Sequence, residues 1–206
     1  MNEMTFEFGC QTPLETFEWD RMWLEHTENT TAPRVLYIGD SISQATLSTV
    51  NKLAAGRVLF DGCHTSKGLD NPYLKPFIKY VAAQESHREL VVFNNGFHGW
   101  HLKDEEEYAP LLAETLTWLK NEFAGVPLAF VLTTHAEKPA WQARAKIRTE
   151  IGKRIAAELG VPVIDFYTPS LENKHLIKDG VHFHAEGYEL LADLLLQHVS
   201  ALLEGK

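Results

Sequence analysis

Short apolar runs alternate with longer amphipathic runs along most of this chain, and that alternation constrains the fold more than any other feature of the sequence. Apolar residues recur at helical spacing in the longer runs, whereas the short runs are almost continuously apolar. The predicted strands cover residues 34–38, 57–60, 89–95, 127–134 and 161–166. The predicted helices cover residues 43–55, 71–84, 106–123, 139–160 and 185–204. Strands that alternate with helices form a parallel sheet, so the sequence predicts an α/β protein.

The apolar character of the predicted strands indicates that the sheet is buried on both faces. Right-handed crossovers between such strands give a three-layer α/β/α sandwich. In folds of this kind ligands bind beyond the carboxyl ends of the strands, near the switch point in strand order. We interpret residues 34–206 as one domain of this type and look for functional groups after each strand.

Residues 1–33 precede the alternating pattern and form a separate segment. The stretch PLETFEWDRMWLEH, residues 13–26, has apolar residues at a spacing that suits a short amphipathic helix. The following TENTTAPR, residues 27–34, is typical of a linker. We predict an N-terminal extension packed on the domain, with a lid or a subunit contact in a homodimer as the alternatives.

The composition of the chain argues against some classes of binding partner and indicates where in the cell the protein is expected. The chain has 206 residues, with 19 Lys and Arg against 28 Asp and Glu, so its formal charge is −9. An acidic surface argues against nucleic acid and anionic membranes as partners. The opening residues lack the features of a secretory signal and no apolar run reaches the roughly 20 residues of a membrane span, so the cytoplasm is the expected location. The two cysteines, Cys10 and Cys63, fit neither a disulfide framework nor a zinc motif.

The first predicted strand ends in Gly39-Asp40-Ser41. Glycine permits a tight turn, so Ser41 stands where a strand passes into a helix. A serine at this place commonly caps the helix. It is also where a nucleophile would be exposed at the ligand-binding edge of the sheet.

A second group of polar residues lies near the end of the chain, where Asp179 and His182 precede the last predicted helix. An aspartate at this spacing can accept a hydrogen bond from the histidine Nδ1–H, which leaves Nε2 free to take a proton from a nucleophile. Ser41, Asp179 and His182 all fall at one edge of the predicted sheet. Together they supply the attacker, the base and the orienting group of nucleophilic catalysis.

The segments IGDSIS (38–43) and DGVHFHAEGYELLAD (179–193) resemble the first and last blocks of the SGNH (GDSL-type) hydrolases. The similarity spans about residues 34–203. It implies a flavodoxin-like sandwich whose five parallel strands have the order 2-1-3-4-5. It also implies a metal-independent serine esterase without a cofactor, in which Ser41 carries the acyl group and Asp179 and His182 complete the triad.

The third block of the family is usually Gly-x-Asn-Asp, whose asparagine donates to the oxyanion. The loop NNGFHGWH after the third strand has His98 in that place when Gly96 is aligned with the family's glycine. An imidazole N–H can also donate to an oxyanion. Asn94 or Asn95 could orient His98 or donate instead.

The resemblance therefore implies an oxyanion hole with three donors, namely the amide of Ser41, the amide of Gly62 after the second strand, and the side chain of His98. Cys63 and His64 are alternatives for the second amide. Further residues are candidates for lining the pocket or supporting the catalytic groups. These are Asp40, Asn94, Asn95 and His135.

Two other classes of function compete with this interpretation. A metal-dependent hydrolase would use a histidine and aspartate cluster, because these ligands suit zinc or manganese. The cluster would draw on Asp40, His98, His101, Asp179, His182 and His184. A catalytically degenerate SGNH domain would only bind a glycan. For an enzyme, the expected substrate is a small acyl ester, with an O-acetyl group on a carbohydrate favoured because the sequence has no long apolar lid.

Overall fold

A computed structural model describes residues 12–85 and 87–205. Its centre is a six-stranded sheet with the strand order β1-β3-β2-β4-β5-β6. The strands are β1 (Asp20–Trp23), β2 (Arg34–Gly39), β3 (Leu59–Thr65), β4 (Leu90–Phe93), β5 (Leu128–Val131) and β6 (Val163–Ile164). The helices are α1 (Ser41–Ala54), α2 (Leu74–Ala82), α3 (Tyr108–Glu122), α4 (Pro139–Leu159), α5 (Tyr167–Glu172) and α6 (Ala185–Glu204).

The five strands from β2 to β6 are parallel, and their order confirms the predicted 2-1-3-4-5 arrangement. Successive residues of β2 face opposite sides of the sheet, as the pleat requires. Val35 and Tyr37 pack in the core layer beneath α1 and α6. Leu36 and Ile38 pack in the other core layer, beneath α2, α3 and α4. The three-layer α/β/α architecture follows from this double burial.

The sheet has a sixth strand that the sequence did not predict. Residues 20–23, inside the stretch predicted as a helix, form β1 and pair antiparallel with β3. The prediction of a helix here was wrong because the outer edge of β3 carries backbone N–H and C=O groups that need partners. All four residues of β1 are exposed, so pairing with β3 rather than burial of an apolar face places this segment.

β3 also differs from its prediction, because it continues to Thr65 rather than ending at residue 60. Its extra residues include Asp61 and His64, which are polar and still buried. Asp61 is compensated by Arg34, whose Nη1 donates to Oδ1 at 2.8 Å and to Oδ2 at 3.0 Å. Because these residues are polar, the apolar run in the sequence ends before the strand does. The carboxyl end of β3 therefore lies at Thr65 rather than at residue 60.

Helix boundaries agree more closely with the sequence. α3 begins at Tyr108 and α4 ends at Leu159, with Gly160 as its cap at a φ of 63°. The sequence missed α5, which lies in the segment after the last strand. In the part of the chain that the structure describes, no helix is both long and apolar enough to cross a membrane.

Candidate active site

Ser41 lies at the carboxyl edge of the sheet because β2 ends at Gly39 and α1 begins two residues later. Asp40 is the N-cap of α1, and its Oδ1 accepts from the backbone N–H groups of Ile42 at 2.9 Å and Ser43 at 3.2 Å. A side chain at position 39 would collide with that of Ser43, so the turn requires glycine. Asp40 rather than Ser41 caps the helix, which leaves the Ser41 hydroxyl available for other contacts.

The hydroxyl of Ser41 meets the imidazole of His182. Ser41 Oγ is 3.0 Å from His182 Nε2, and His182 Nδ1 is 2.9 Å from Asp179 Oδ2. The two hydrogen bonds join the first residue of α1 to the turn that precedes α6. The structure thus brings together the three residues that the sequence predicted as a catalytic triad, in the connectivity that nucleophilic catalysis requires.

Asp179 and His182 belong to a tight turn before α6. The turn is held by an antiparallel bridge between Ile177 and Phe183. Gly180 has a φ of 94°, which favours glycine. Asp179 Oδ1 accepts from the backbone N–H of His182 at 2.9 Å, so the carboxylate orients the residue through its backbone as well as its ring.

This set of hydrogen bonds keeps Asp179 ionised. Partial burial raises the pKa of the carboxyl group, but the hydrogen bonds from the backbone and ring of His182 and from the backbone of Val181 outweigh that effect. The pKa is lowered to about 2. An anionic Asp179 only accepts, so His182 Nδ1 carries a hydrogen and, in the neutral ring, Nε2 is the basic atom that faces Ser41 Oγ.

Ser41 and His182 open into a cavity of about 1000 Å³. Its walls are strongly aromatic, because the rings of Phe97, Trp100 and Trp141 contact one another at centroid distances of 4.8 to 6.4 Å. The N-terminal segment also lines the cavity. The residues that it supplies are Leu14, Glu15, Thr16, Phe17 and Trp19.

The loop after β4 brings His98 into the same cavity. Gly96 has a φ of 58°, and a Cβ on it would lie 2.7 Å from Asp40 Cγ, so the loop packs directly on the N-cap of α1. Asn94 and Asn95 hold the loop in place through backbone contacts. Asn94 Nδ2 donates to Val131 O at 2.9 Å, and Asn95 Nδ2 donates to Lys67 O at 3.0 Å.

Two arginines of α4 donate hydrogen bonds to the backbone of this loop. Arg148 Nη1 donates to Gly96 O at 3.0 Å and to His98 O at 2.7 Å, while Arg144 Nη1 donates to Phe97 O at 3.2 Å. Both guanidinium groups pair with the carboxylate of Glu105. Charged donors that reach three consecutive carbonyls fix the path of the loop, and nothing in the local sequence indicated this role.

His98 is oriented by a residue of the N-terminal segment. Its Nδ1 lies 2.8 Å from Glu15 Oε2, and the other carboxylate oxygen of Glu15 accepts from the Gly99 backbone N–H at 2.9 Å. The ring also meets the edge of Trp19 at a centroid distance of 6.5 Å. The sequence suggested Asn94 or Asn95 for this orienting role, and both instead bond to backbone carbonyls.

Gly62 does not lie at the edge of the sheet, and its predicted part in the oxyanion hole needs correction. It is the fourth residue of β3 and is matched with Tyr37 of β2 on one side and Trp23 of β1 on the other. Cys63 and His64 are likewise matched on both sides. Because β3 is longer than predicted, the glycine that follows its end is Gly68, where a Cβ would lie 3.3 Å from the Cα of Gly99 in the His98 loop.

His135, the last candidate for the pocket, lies apart from Ser41. His135 is buried, its backbone N–H donates to Ser170 Oγ at 2.7 Å, and its ring meets the edge of Tyr167. Burial lowers the pKa of His135, because it penalises the charged ring. His135 is not among the residues that line the Ser41 cavity, so it does not contact that cavity directly.

The histidines of the His98 loop pair separately with carboxylates instead of meeting at one point. His101 Nε2 is 2.6 Å from Asp70 Oδ2, and His98 pairs with Glu15. His184 is exposed at the start of α6. Among residues 12–85 and 87–205, no three His, Cys, Asp or Glu side chains form a group that could hold a metal ion.

Comparison with known proteins relates this geometry to solved structures. No protein-family model and no curated protein matches the chain. A member of the lipolytic G-D-S-L family from Veillonella parvula has a TM-score of 0.68 at 19% identity, over 82% of this chain and 99% of that one. A lipase/acylhydrolase from Enterococcus faecalis has a TM-score of 0.65 at 20% identity, over 82% and 96% of the two chains.

The catalytic domain of peptidoglycan O-acetyltransferase A from Streptococcus pneumoniae has a TM-score of 0.64 at 16% identity, over 84% of this chain and 96% of that one. These likenesses cover nearly the whole of each solved chain. The fold is therefore that of the SGNH (GDSL-type) hydrolases, as the sequence blocks implied.

Proposed function

We propose that this chain is an SGNH-type serine hydrolase that cleaves a small acyl ester through an acyl-enzyme on Ser41. The observation that carries the proposal is the continuous hydrogen-bonded row from Ser41 Oγ through His182 to Asp179, with distances of 3.0 and 2.9 Å. The row opens into a cavity at the carboxyl edge of a parallel sheet, where such folds bind ligands.

In the proposed reaction His182 Nε2 takes the proton of Ser41 Oγ as the oxygen attacks the ester carbonyl carbon. The carbonyl π electrons move to its oxygen, which becomes the oxyanion of a tetrahedral intermediate. Collapse re-forms the carbonyl and breaks the bond to the alcohol, which leaves with the proton held by His182. Water then repeats the sequence on the acyl-enzyme and releases the acid, while Asp179 stabilises the imidazolium in both halves.

Three groups are proposed to hold the oxyanion. The Ser41 backbone N–H lies at the N-terminus of α1, where unpaired amides favour negative charge. The Gly68 amide replaces Gly62 because Gly68 follows the true end of β3 and approaches the His98 loop. His98 is the third donor. Removal of one such donor typically lowers kcat by about 10²–10³-fold, and we expect a folded His98→Ala variant to lose activity on that scale.

The cavity supports an acyl ester of a carbohydrate as the substrate class. Trp100 lines the same cavity as Ser41 and is 37% exposed, and Arg144 lies over its ring at 4.1 Å. Exposed aromatic faces suit the apolar faces of sugar rings and also short acyl chains. The solved neighbours include an acetyl xylan esterase and a peptidoglycan O-acetyltransferase, which agrees with a small acyl group on a sugar.

The first test is hydrolysis of p-nitrophenyl acetate by the wild type and by Ser41→Ala, each with and without a chelator. We expect activity that the chelator leaves unchanged and that Ser41→Ala abolishes. Activity that the chelator removes and Ser41→Ala retains would point instead to the metal-dependent alternative. A serine-directed phosphonate with mass detection completes the test, because a chain that neither turns over nor labels at Ser41 is a binding domain and not an enzyme.

A further inference from the structure

A second cavity, termed here the β1–α1 cavity, lies between strand β1 and helix α1 and is lined by none of the triad residues. Its volume is about 720 Å³, within the usual range of small-molecule sites. Its lining follows α1 from Gln44 to Lys52, about 12 Å at a rise of 1.5 Å per residue. Gln44 also lines the Ser41 cavity, so the two cavities adjoin near the start of α1.

The pairing of β1 with β3 explains why this cavity exists. Residues directly opposite each other in antiparallel strands share one face of the sheet. Arg21 is opposite His64, and Trp23 is opposite Gly62. A Cβ on Gly62 would lie 2.7 Å from Leu47 Cδ2, so α1 packs on this face. α1 covers β3, and the side chains of β1 on the same face line the space that remains beside the helix.

Hydrogen bonds between the two walls fix the shape of the β1–α1 cavity. Trp23 Nε1 donates to Glu25 Oε2 at 2.8 Å, and Asn51 Nδ2 of α1 donates to the same oxygen at 3.2 Å. The backbone N–H of Glu25 donates to Asp61 Oδ1 at 2.9 Å. Trp23 is 57% exposed, so its ring is held in place and still accessible. Exposed aromatic faces suit the apolar faces of sugar rings.

Two cations of the β1–α1 cavity have no anionic partner. Arg21 and Lys52 both line it, and within the described part of the chain neither side chain makes an ion pair or a hydrogen bond. Glu25 also lines the cavity, but it already accepts the two hydrogen bonds above and lies 3.5 Å from His26. The chain as a whole has a formal charge of −9. Unpaired cations in an otherwise acidic protein favour an anionic ligand at this place.

His64 lines the β1–α1 cavity from the sheet. Its side chain is fully buried, and among residues 12–85 and 87–205 neither ring nitrogen has a hydrogen-bond partner. Burial lowers the pKa of His64 to about 3, so the ring is neutral and offers one donor and one acceptor. An unpaired buried polar group is costly. A ligand hydroxyl group, which both donates and accepts, would compensate that cost, whereas an acyl chain would not.

We propose that the β1–α1 cavity is a subsite for an acidic sugar unit, whose anionic group binds to Arg21 and Lys52 and whose ring packs on Trp23. A hydroxyl group of the same sugar bonds to His64. The inference rests on the proposed function and deepens it, because it makes the substrate an acylated glycan that carries a negative charge. The acylated unit of that glycan lies in the Ser41 cavity, and the acidic unit lies in the β1–α1 cavity beside it.

The binding test follows the indole N–H signal of Trp23 by ¹H–¹⁵N NMR while glucuronate or glucose is added to the wild type. Trp23→Phe assigns this signal, because the signal is absent from that variant. Lys52→Gln and Arg21→Gln each remove one of the two cations. Lys146→Gln is the matched control, because it removes the same charge from an exposed position of α4 that does not line the cavity.

We expect glucuronate to shift the Trp23 signal to saturation. Lys52→Gln and Arg21→Gln should each raise the Kd for glucuronate about 2–5-fold, the scale of an exposed charge pair. Glucose has no charge and should bind about 4–25-fold more weakly than glucuronate, the product of two such pairs. Lys146→Gln should keep the Kd of the wild type.

The second measurement connects the cavity to the reaction. Acetylated xylo-oligosaccharides with and without a glucuronic acid unit are compared as substrates of the wild type and of Lys52→Gln. We expect the wild type to have the higher kcat/KM for the acidic substrate, and Lys52→Gln to reduce that preference about 2–5-fold. A ratio of two substrates in one enzyme is insensitive to a general loss of activity, so a merely structural effect of the variant would not change it.

Three outcomes would overturn the inference. One is a Trp23 signal that glucuronate does not shift, or a Kd for glucuronate that Lys52→Gln and Arg21→Gln leave as it is in Lys146→Gln. Another is an equal kcat/KM of the wild type for the two oligosaccharides. In both outcomes the phosphonate can still label Ser41, which leaves the proposed function standing. The third is a wild type that does not label at Ser41, which would refute the proposed function and, with it, the assignment of this cavity to a substrate.

Discussion

A methyl group at Gly96 should damage both the stability of the fold and the placement of Ser41. Gly96 has a φ of 58°, and an added Cβ would lie 2.7 Å from Asp40 Cγ. A left-handed conformation costs a non-glycine residue about 1–2 kcal/mol. Displacing Asp40 also removes the N-cap of α1, which is worth about 0.5–2 kcal/mol. The two effects give a loss of about 1.5–4 kcal/mol in the free energy of unfolding for Gly96→Ala.

Gly160→Ala is the matched control. Gly160 has nearly the same φ, 63°, and no atom lies within 4 Å of its added Cβ. It should therefore lose only the conformational part, about 1–2 kcal/mol. Urea unfolding followed by tryptophan fluorescence measures both losses, and kcat for p-nitrophenyl acetate should fall in Gly96→Ala alone. Equal losses in the two variants, with activity retained in both, would refute the claim that Asp40 and the loop are packed into one unit with Ser41.

Three further outcomes follow from the structure. Asp179→Asn should lower kcat by about 10³–10⁴-fold, because the amide no longer enforces the Nδ1–H form of His182, and a kcat within tenfold of the wild type would contradict this. Arg148→Met should lower the free energy of unfolding, measured in urea, by about 1–3 kcal/mol, because the Gly96 and His98 carbonyls lose their donor while Glu105 keeps Arg144; no measurable loss would contradict this. Burial lowers the pKa of His64 to about 3, whereas the same histidine has a pKa near 6.5 in the unfolded chain. The unfolded chain therefore binds more protons below pH 6.5, and the free energy of unfolding decreases as the pH drops below that value. Between pH 8 and pH 5 the free energy of unfolding should fall by about 2 kcal/mol because of His64, and this fall should be absent from His64→Leu. If the free energy of unfolding changes equally with pH in the two proteins, native His64 takes up a proton and the prediction is wrong.

The triad could be predicted from sequence because each part of it is local. Gly39 and Ser41 lie where a buried strand passes into a helix, and Asp179 and His182 share one turn, so their positions follow once the strand order is known. The resemblance to the SGNH hydrolases implied that strand order, whereas the alternation of apolar and amphipathic runs indicated only a parallel sheet covered by helices. The two turns that carry the triad depend on residues a few positions away, so they can be predicted from local sequence patterns.

The surroundings of the triad could not be predicted, because they depend on contacts between distant segments. Glu15 reaches His98 across 83 residues, and β1 forms only where the edge of β3 is offered to it. The sequence predicts Gly62 for the oxyanion hole because the apolar run of this strand ends at Phe60, before Asp61. Arg34 compensates the charge of the buried Asp61. It is 27 residues away along the chain, so the local sequence pattern does not indicate this pairing.

The distances along the chain between the parts of the active site have a consequence for synthesis of the protein. His182 is synthesised 141 residues after Ser41. At roughly 5–20 residues per second, about 7–28 s pass between the two. During that interval the nascent chain carries the serine without its base and the His98 loop without the turn that opposes it. The proposed ester hydrolysis can therefore begin only after His182 has been translated, and until then Ser41 lacks the base that would activate it.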